Sequence, residues 1–143
     1  MHEAWRHGYI ATATLPDGRG GGILDLRCPS EAVTRTAEFR ELARQLCELV
    51  ALRSPRFLRR AHVPPAQLEL LLREGRTEAL RRGIPDEEVE AWASSCAESR
   101  LSDLCLMELP LEGRPVAAVL EDRARRWGHE VEIRRYHRMS LDD

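Results

Sequence analysis

The chain has 143 residues, 43% of them hydrophobic, enough to build one globular domain around a single core. Its formal net charge is only −2, from 22 basic and 24 acidic side chains, so the balance supplies no bulk attraction to nucleic acid or to an anionic membrane. Lysine and asparagine are absent, a bias we read as coding composition and not as mechanism.

Cys28, Cys47, Cys96 and Cys105 stand far apart, with no Cys-x-x-Cys pair, which suits reduced, buried thiols in a cytoplasmic protein. Met1 to Arg6 carries charge and does not read as a secretion leader. Nor is there a run of about 18 apolar residues to span a membrane.

In chain order, Tyr9 to Leu15 is rich in β-branched and apolar residues, Pro16, Asp17 and Gly18 punctuate a turn, and Ile23 to Leu26 returns as a second strand. The glycines at positions 18, 20, 21 and 22 precede no Lys-Ser/Thr pair and open no helix, so they read as a hairpin and not as a phosphate loop. Phe39, Leu42, Ala43, Leu46, Leu49 and Val50 then recur at three- and four-residue steps. That is an amphipathic helix, capped by Thr36 and stopped before Pro55.

A basic loop with Arg53, Arg56, Arg59 and Arg60 leads to a second helix over Pro65–Arg82, with Leu68, Leu71 and Leu72 as its stripe, an internal Gly75 and a left-handed cap at Gly83. Pro85 opens a third helix toward Leu104, with Asp86, Glu87 and Glu88 at its positive end and Val89, Trp92, Cys96 and Leu101 as the expected buried face. The apolar stretch Leu104 to Leu111 lines the core, and a turn follows at Glu112 to Pro115. A fourth helix covers Val116 to Trp127 and ends at Gly128, and a last strand runs from Val131 to Met139 with a bulge expected at Tyr136. The sum is an α+β domain, a small antiparallel sheet made of an N-terminal hairpin and a C-terminal strand, packed with about four helices.

The reactive residue types do not assemble an enzyme. His2, His7, His62, His129 and His137 lack metal-ligand spacing, and no base is placed beside a cysteine, so neither a catalytic residue, a metal nor a cofactor is expected. Arg134, Arg135, Tyr136 and Arg138 form the densest basic and aromatic group. The acids at Glu130 and Glu132 dilute it, so cross-strand pairing explains it as well as direct RNA binding. Trp5, Trp92 and Trp127 read mostly as core.

Two strings carry more information. Cys28-Pro-Ser-Glu-Ala-Val-Thr-Arg-Thr36 is similar to a signature that reads Cys-Glu-Thr-Asp-Phe-Val-Ala-Arg-Thr, and Gly128 with Arg134, Arg135 and Arg138 matches a C-terminal strand pattern. Between them lie the opening strand at His7 to Ile10, a Gly83-Ile84-Pro85 break and the segment Cys105-Leu-Met-Glu-Leu-Pro-Leu111, all in the same order. Together these resemble the core, or dimerisation domain, of bacterial translation elongation factor Ts.

The resemblance implies one core domain over residues 1–143, without that family's N-terminal helical module. It further implies a homodimer and binding to the GTPase elongation factor Tu to promote GDP release. It places the partner-binding residues at Ser30, Glu31, Ala32, Val33 and Arg35, and a further interface at Arg134, Arg135, Tyr136 and Arg138. In the family, the Asp and Phe of the signature form a wedge against the nucleotide site of the GTPase; here they are Glu31 and Ala32. The alternative is therefore a divergent paralogue that keeps the scaffold as a dimeric interaction or regulatory module without exchange activity.

Overall fold

The structure, a computed structural model, describes residues 5–143, so His2 and the other leading residues lie outside it. The chain divides into two compact units, one made of Met1–Ser54 with Pro110–Asp143 and one made of Pro55–Leu109.

The first unit is built on a sheet. β1 (Gly8–Thr14) and β2 (Gly20–Arg27) form the expected hairpin, in the register Tyr9↔Leu26, Ala11↔Leu24 and Ala13↔Gly22. Its turn closes where Gly18 adopts a φ of 71° and its N–H donates to the Leu15 carbonyl at 2.8 Å. β5 (Glu132–Ser140) pairs antiparallel with β2, giving the order β1-β2-β5.

Strand pleat then sorts the side chains. Ala11, Leu24, Leu26 and Ile133 are buried beneath helix α2 (Ala37–Arg53), whose own inner face is Phe39, Leu42, Ala43, Leu46, Cys47 and Val50. A short α1 (Glu31–Thr34) precedes α2, two minimal strands β3 (Pro110–Leu111) and β4 (Arg114–Pro115) pair with each other, and α5 (Val116–Trp127) buries Val116, Val119 and Leu120.

The second unit is a helical hairpin. α3 (Pro65–Arg81) and α4 (Asp86–Leu104) are joined by Arg82 to Pro85, with Gly83 in the left-handed conformation. Leu71, Ala97 and Leu101 are buried, with Val63, Leu72 and Leu104 packed around them. At Gly75 the two helices approach so closely that an added Cβ would lie 3.0 Å from the Cα and the carbonyl oxygen of Ala93. The hairpin's open end is tied off by backbone bonds, Phe57 N–H to the Leu104 carbonyl at 3.0 Å and Leu106 N–H to the Phe57 carbonyl at 2.9 Å. Arg60 adds a hub, donating to Glu108 at 2.7 Å, Glu98 at 2.9 Å and Ser102 at 3.2 Å.

The α+β class and the hairpin-plus-late-strand sheet agree with the sequence reading, and several details differ. The described residues form five α-helices where the sequence reading has about four, the addition being the four-residue α1, which is too short to show a periodicity. Close helix crossing selects small residues, so the buried stripe of α4 is Ala93, Ala97 and Leu101, while Val89, Trp92 and Cys96 sit only half-buried beside it. On α3, Leu68 is exposed and Leu71 is the buried leucine. Trp5 and Trp127 are likewise half-buried and not core. The bulge falls at Arg134 and not at Tyr136, since Asp25 pairs with Arg135 and Leu26 with Ile133, leaving Arg134 as the extra residue.

Candidate functional site

The local chemistry of residues 28–36 explains why a turn of helix stands exposed there. β2 ends at Arg27, and Cys28, fully buried, donates its N–H to the His7 carbonyl at 3.1 Å. Ser30 has extended backbone and its Oγ accepts from Val33 N–H at 3.2 Å, the geometry of an N-cap. Thr34 turns inward, buried, and donates its hydroxyl to the Glu31 carbonyl at 2.7 Å. Thr36 then caps α2 by accepting from Phe39 N–H at 3.2 Å. Two caps six residues apart leave the chain between them little freedom.

That scaffold decides what faces outward. Glu31, Ala32 and Arg35 are exposed, and Ser30 and Val33 are half-buried. The Arg35 guanidinium lies 2.6 Å from the Glu31 carboxylate in an i,i+4 pair that is open to water on both sides. Such a pair contributes about 0.3–0.5 kcal/mol at most, so it orients Glu31 more than it stabilises the fold. The five sequence-predicted residues therefore fall on one turn, interrupted by the buried Thr34, that exposes Glu31, Ala32 and Arg35, with a methyl group where the resembling family has an aromatic ring.

Behind the turn, the start of α2 is held by α5. Glu38 accepts from the Trp127 indole N–H at 2.8 Å and from Arg126 at 2.5 Å, and these two hydrogen bonds hold its carboxyl below the ordinary value of 4.5. The Trp127 and Phe39 rings lie 5.7 Å apart, tilted by 49°. Trp127 is thus a supporting residue that a core reading of tryptophan passes over.

Arg134, Arg135, Tyr136 and Arg138 are distributed by the pleat and not gathered. Arg135 lies on the sheet face away from α2 and donates to Asp25 at 3.2 Å, whereas Tyr136 pairs with Leu24 and Arg138 with Gly22 on the α2 side. Arg138 bonds Asp143 at 3.2 Å, and Arg134 is the exposed bulge residue.

Asp25 is the buried carboxylate among the described residues. Burial opposes its charge, but the hydrogen bonds and charge of Arg27, at 2.7 and 3.0 Å, followed by those of Arg135, outweigh the burial and hold it below its ordinary 3.8. The open sheet face continues beyond it as Ile10, Thr12, Ile23, His137 and Met139; Ile10 is 50%, Ile23 43% and Met139 81% exposed.

The reactive residue types stay apart. Cys28, Cys47 and Cys105 are buried and Cys96 half-buried, all as free thiols; burial, reinforced by Glu48, pushes Cys47 up to about 11. Among the described residues no cluster of three His, Cys, Asp or Glu side chains assembles to hold a metal ion, and no helix is long and apolar enough to cross a membrane.

No family model matches the chain. Individual proteins do. Elongation factor Ts of Carboxydothermus hydrogenoformans is 29% identical over 99% of this chain and 63% of its own length. The chain is similar to elongation factor Ts over nearly its whole length. The same protein from Heliobacterium modesticaldum is 26% identical, and that from Anaeromyxobacter dehalogenans 28%, each over 99% of this chain. The chain spans 63% of the length of the Heliobacterium elongation factor Ts and 66% of the Anaeromyxobacter one.

Proposed function

We propose that residues 1–143 act as one elongation factor Ts-like core in translation elongation, docking on elongation factor Tu in the cytoplasm through Ser30, Glu31, Ala32, Val33 and Arg35. The observation that carries this reading is the doubly capped, exposed turn α1 at the position where the resembling family places its wedge. A pre-ordered turn loses little freedom on docking, which favours a specific contact.

Exchange asks for more than docking. A factor accelerates GDP release only if it binds the nucleotide-free GTPase better than the nucleotide-bound form, since equal affinity shifts nothing. An aromatic wedge supplies part of that difference by burying about 150–250 Å². Ala32 supplies almost none of it, and Glu31 is occupied by Arg35. We therefore read this chain as a docking-competent but slow exchange factor. The test is release of a fluorescent GDP from elongation factor Tu, with the natural chain and with Ala32→Phe.

The open sheet face supports a homodimer. Ile10, Ile23 and Met139 expose apolar surface on one side of a three-stranded sheet whose other side is already filled by α2, and a second copy of the same sheet is the partner that covers it with matching chemistry. Arg135 at the end of that face, and Arg134, Tyr136 and Arg138 around β5, belong to the further interface in this reading.

A further inference from the structure

The second unit carries a groove of about 830 Å³ along the seam between α3 and α4. Its origin is the close approach of Gly75 to Ala93, which puts small residues on the seam and large ones on its banks. Leu71, Gly75 and Cys96 contribute its apolar part, with the half-buried Trp92 beside them. Arg82 stacks on the Trp92 ring at 5.6 Å, so that wall presents a guanidinium plane and an indole together.

The polar groups of the groove are dominated by donors. Four guanidiniums, from Arg73, Arg81, Arg82 and Arg100, face only two carboxylates, Glu74 and Glu78, and the Ser99 hydroxyl adds a further donor, while the Thr77 hydroxyl already donates to the Arg73 carbonyl at 3.1 Å. Glu78 is already engaged by Arg81 and, at 2.8 Å, by Arg82. Arg73 and Arg100 are exposed and carry no ion pair among the described residues, which leaves two guanidinium forks for an incoming acceptor.

We propose that this groove binds an acidic peptide segment of a partner protein, with carboxylates on Arg73 and Arg100 and apolar side chains against Leu71, Gly75 and Trp92. The choice over RNA follows from the same groups. Glu74 lies in the groove, the chain as a whole is net negative, and a partly apolar floor suits peptide side chains better than a sugar-phosphate backbone. This site is separate from α1 in the chain and involves no GTPase.

The experiment is fluorescence anisotropy of the full chain with a short fluorescein-labelled peptide of glutamate and leucine, beside the same peptide with glutamine for glutamate and a labelled poly-uridine RNA. The expected result is salt-sensitive binding of the glutamate peptide, not of the other two probes. Arg73→Glu with Arg100→Glu should weaken it roughly tenfold or more, as expected for reversing two partly exposed charge contacts. Both positions are exposed, and an unchanged circular dichroism spectrum of the double variant checks folding. Equal binding of the glutamine peptide, preference for RNA, indifference to the double substitution, or no peptide binding at low salt would each overturn the proposal. Because no GTPase is present, the result is independent of whether α1 docks on elongation factor Tu.

Discussion

At the scale of single residues, Asp25 shows how a charge in the sheet can hold local structure. It sits between Arg27 and Arg135, and Arg27 in turn donates to the Trp5 carbonyl at 2.7 Å, so one carboxylate ties β2 to β5 at the bulge and the bulge to the start of the chain. Its folded-state carboxyl lies below the ordinary 3.8, so its contribution to stability is present in full above that value and is lost as pH falls through the lower folded value. Asp25→Ala leaves two cations without their shared partner; since Arg135 is largely exposed, the expected loss is about 1–3 kcal/mol, less than for a fully buried pair. Urea unfolding at neutral pH and again in acid well below 3.8 checks this, and the difference between natural chain and variant should shrink in acid. The signal for this cluster was present in the sequence as an acid within a hydrophobic strand, but nothing local to Asp25 could show which two arginines would reach it.

At the scale of elements, the caps and close contacts do what composition alone does not announce. Ser30 and Thr36 each accept from the backbone three residues on, and removing the first by Ser30→Ala should cost roughly 0.5–2 kcal/mol of local order in α1. Hydrogen exchange at Val33 N–H should read this as faster exchange there, with α2 unaffected. In the other unit Gly75 is a poor helix-interior residue by propensity, at about 1 kcal/mol relative to alanine. Its reason is the Ala93 backbone 3.0 Å from where its Cβ would be. Gly75→Val should therefore lower the stability of the helical hairpin by about 1–3 kcal/mol despite the gain in backbone stiffness, as overpacking does, and thermal unfolding of the full chain measures it.

The long helices were legible in the sequence because Phe39, Leu42, Leu46 and Val50 repeat over several turns, and β1 and β2 because Gly18 marks their turn. α1 and the β3–β4 pair were not, because four and two residues are shorter than any period they would have to display. The half-buried position of Trp92 has a related reason. Where helices touch through glycine and alanine, large aromatic rings are displaced to the flank, as Trp92 is.

At the scale of the whole molecule, the exposed turn α1 and an apolar sheet face stand on a chain similar to elongation factor Ts. The sheet face makes a separate prediction. If a second copy covers Ile10, Ile23 and Met139, then Ile23→Glu should shift the chain from dimer to monomer in sedimentation velocity at micromolar concentration, with its fold retained, because the position is already partly exposed. The candidate docking residues were found through the signature string and not through physical periodicity. The structure adds that Glu31, Ala32 and Arg35 all face outward, and that Glu31 is paired.

The central claim is that docking on elongation factor Tu survives while the wedge does not. It is tested most directly by stopped-flow release of a fluorescent GDP from elongation factor Tu in the presence of the natural chain, of Ala32→Phe, and of neither. The account predicts little acceleration by the natural chain and roughly tenfold more by Ala32→Phe, the change that about 1.4 kcal/mol of regained differential binding would produce. Full acceleration by the natural chain, or none by either form, would contradict it.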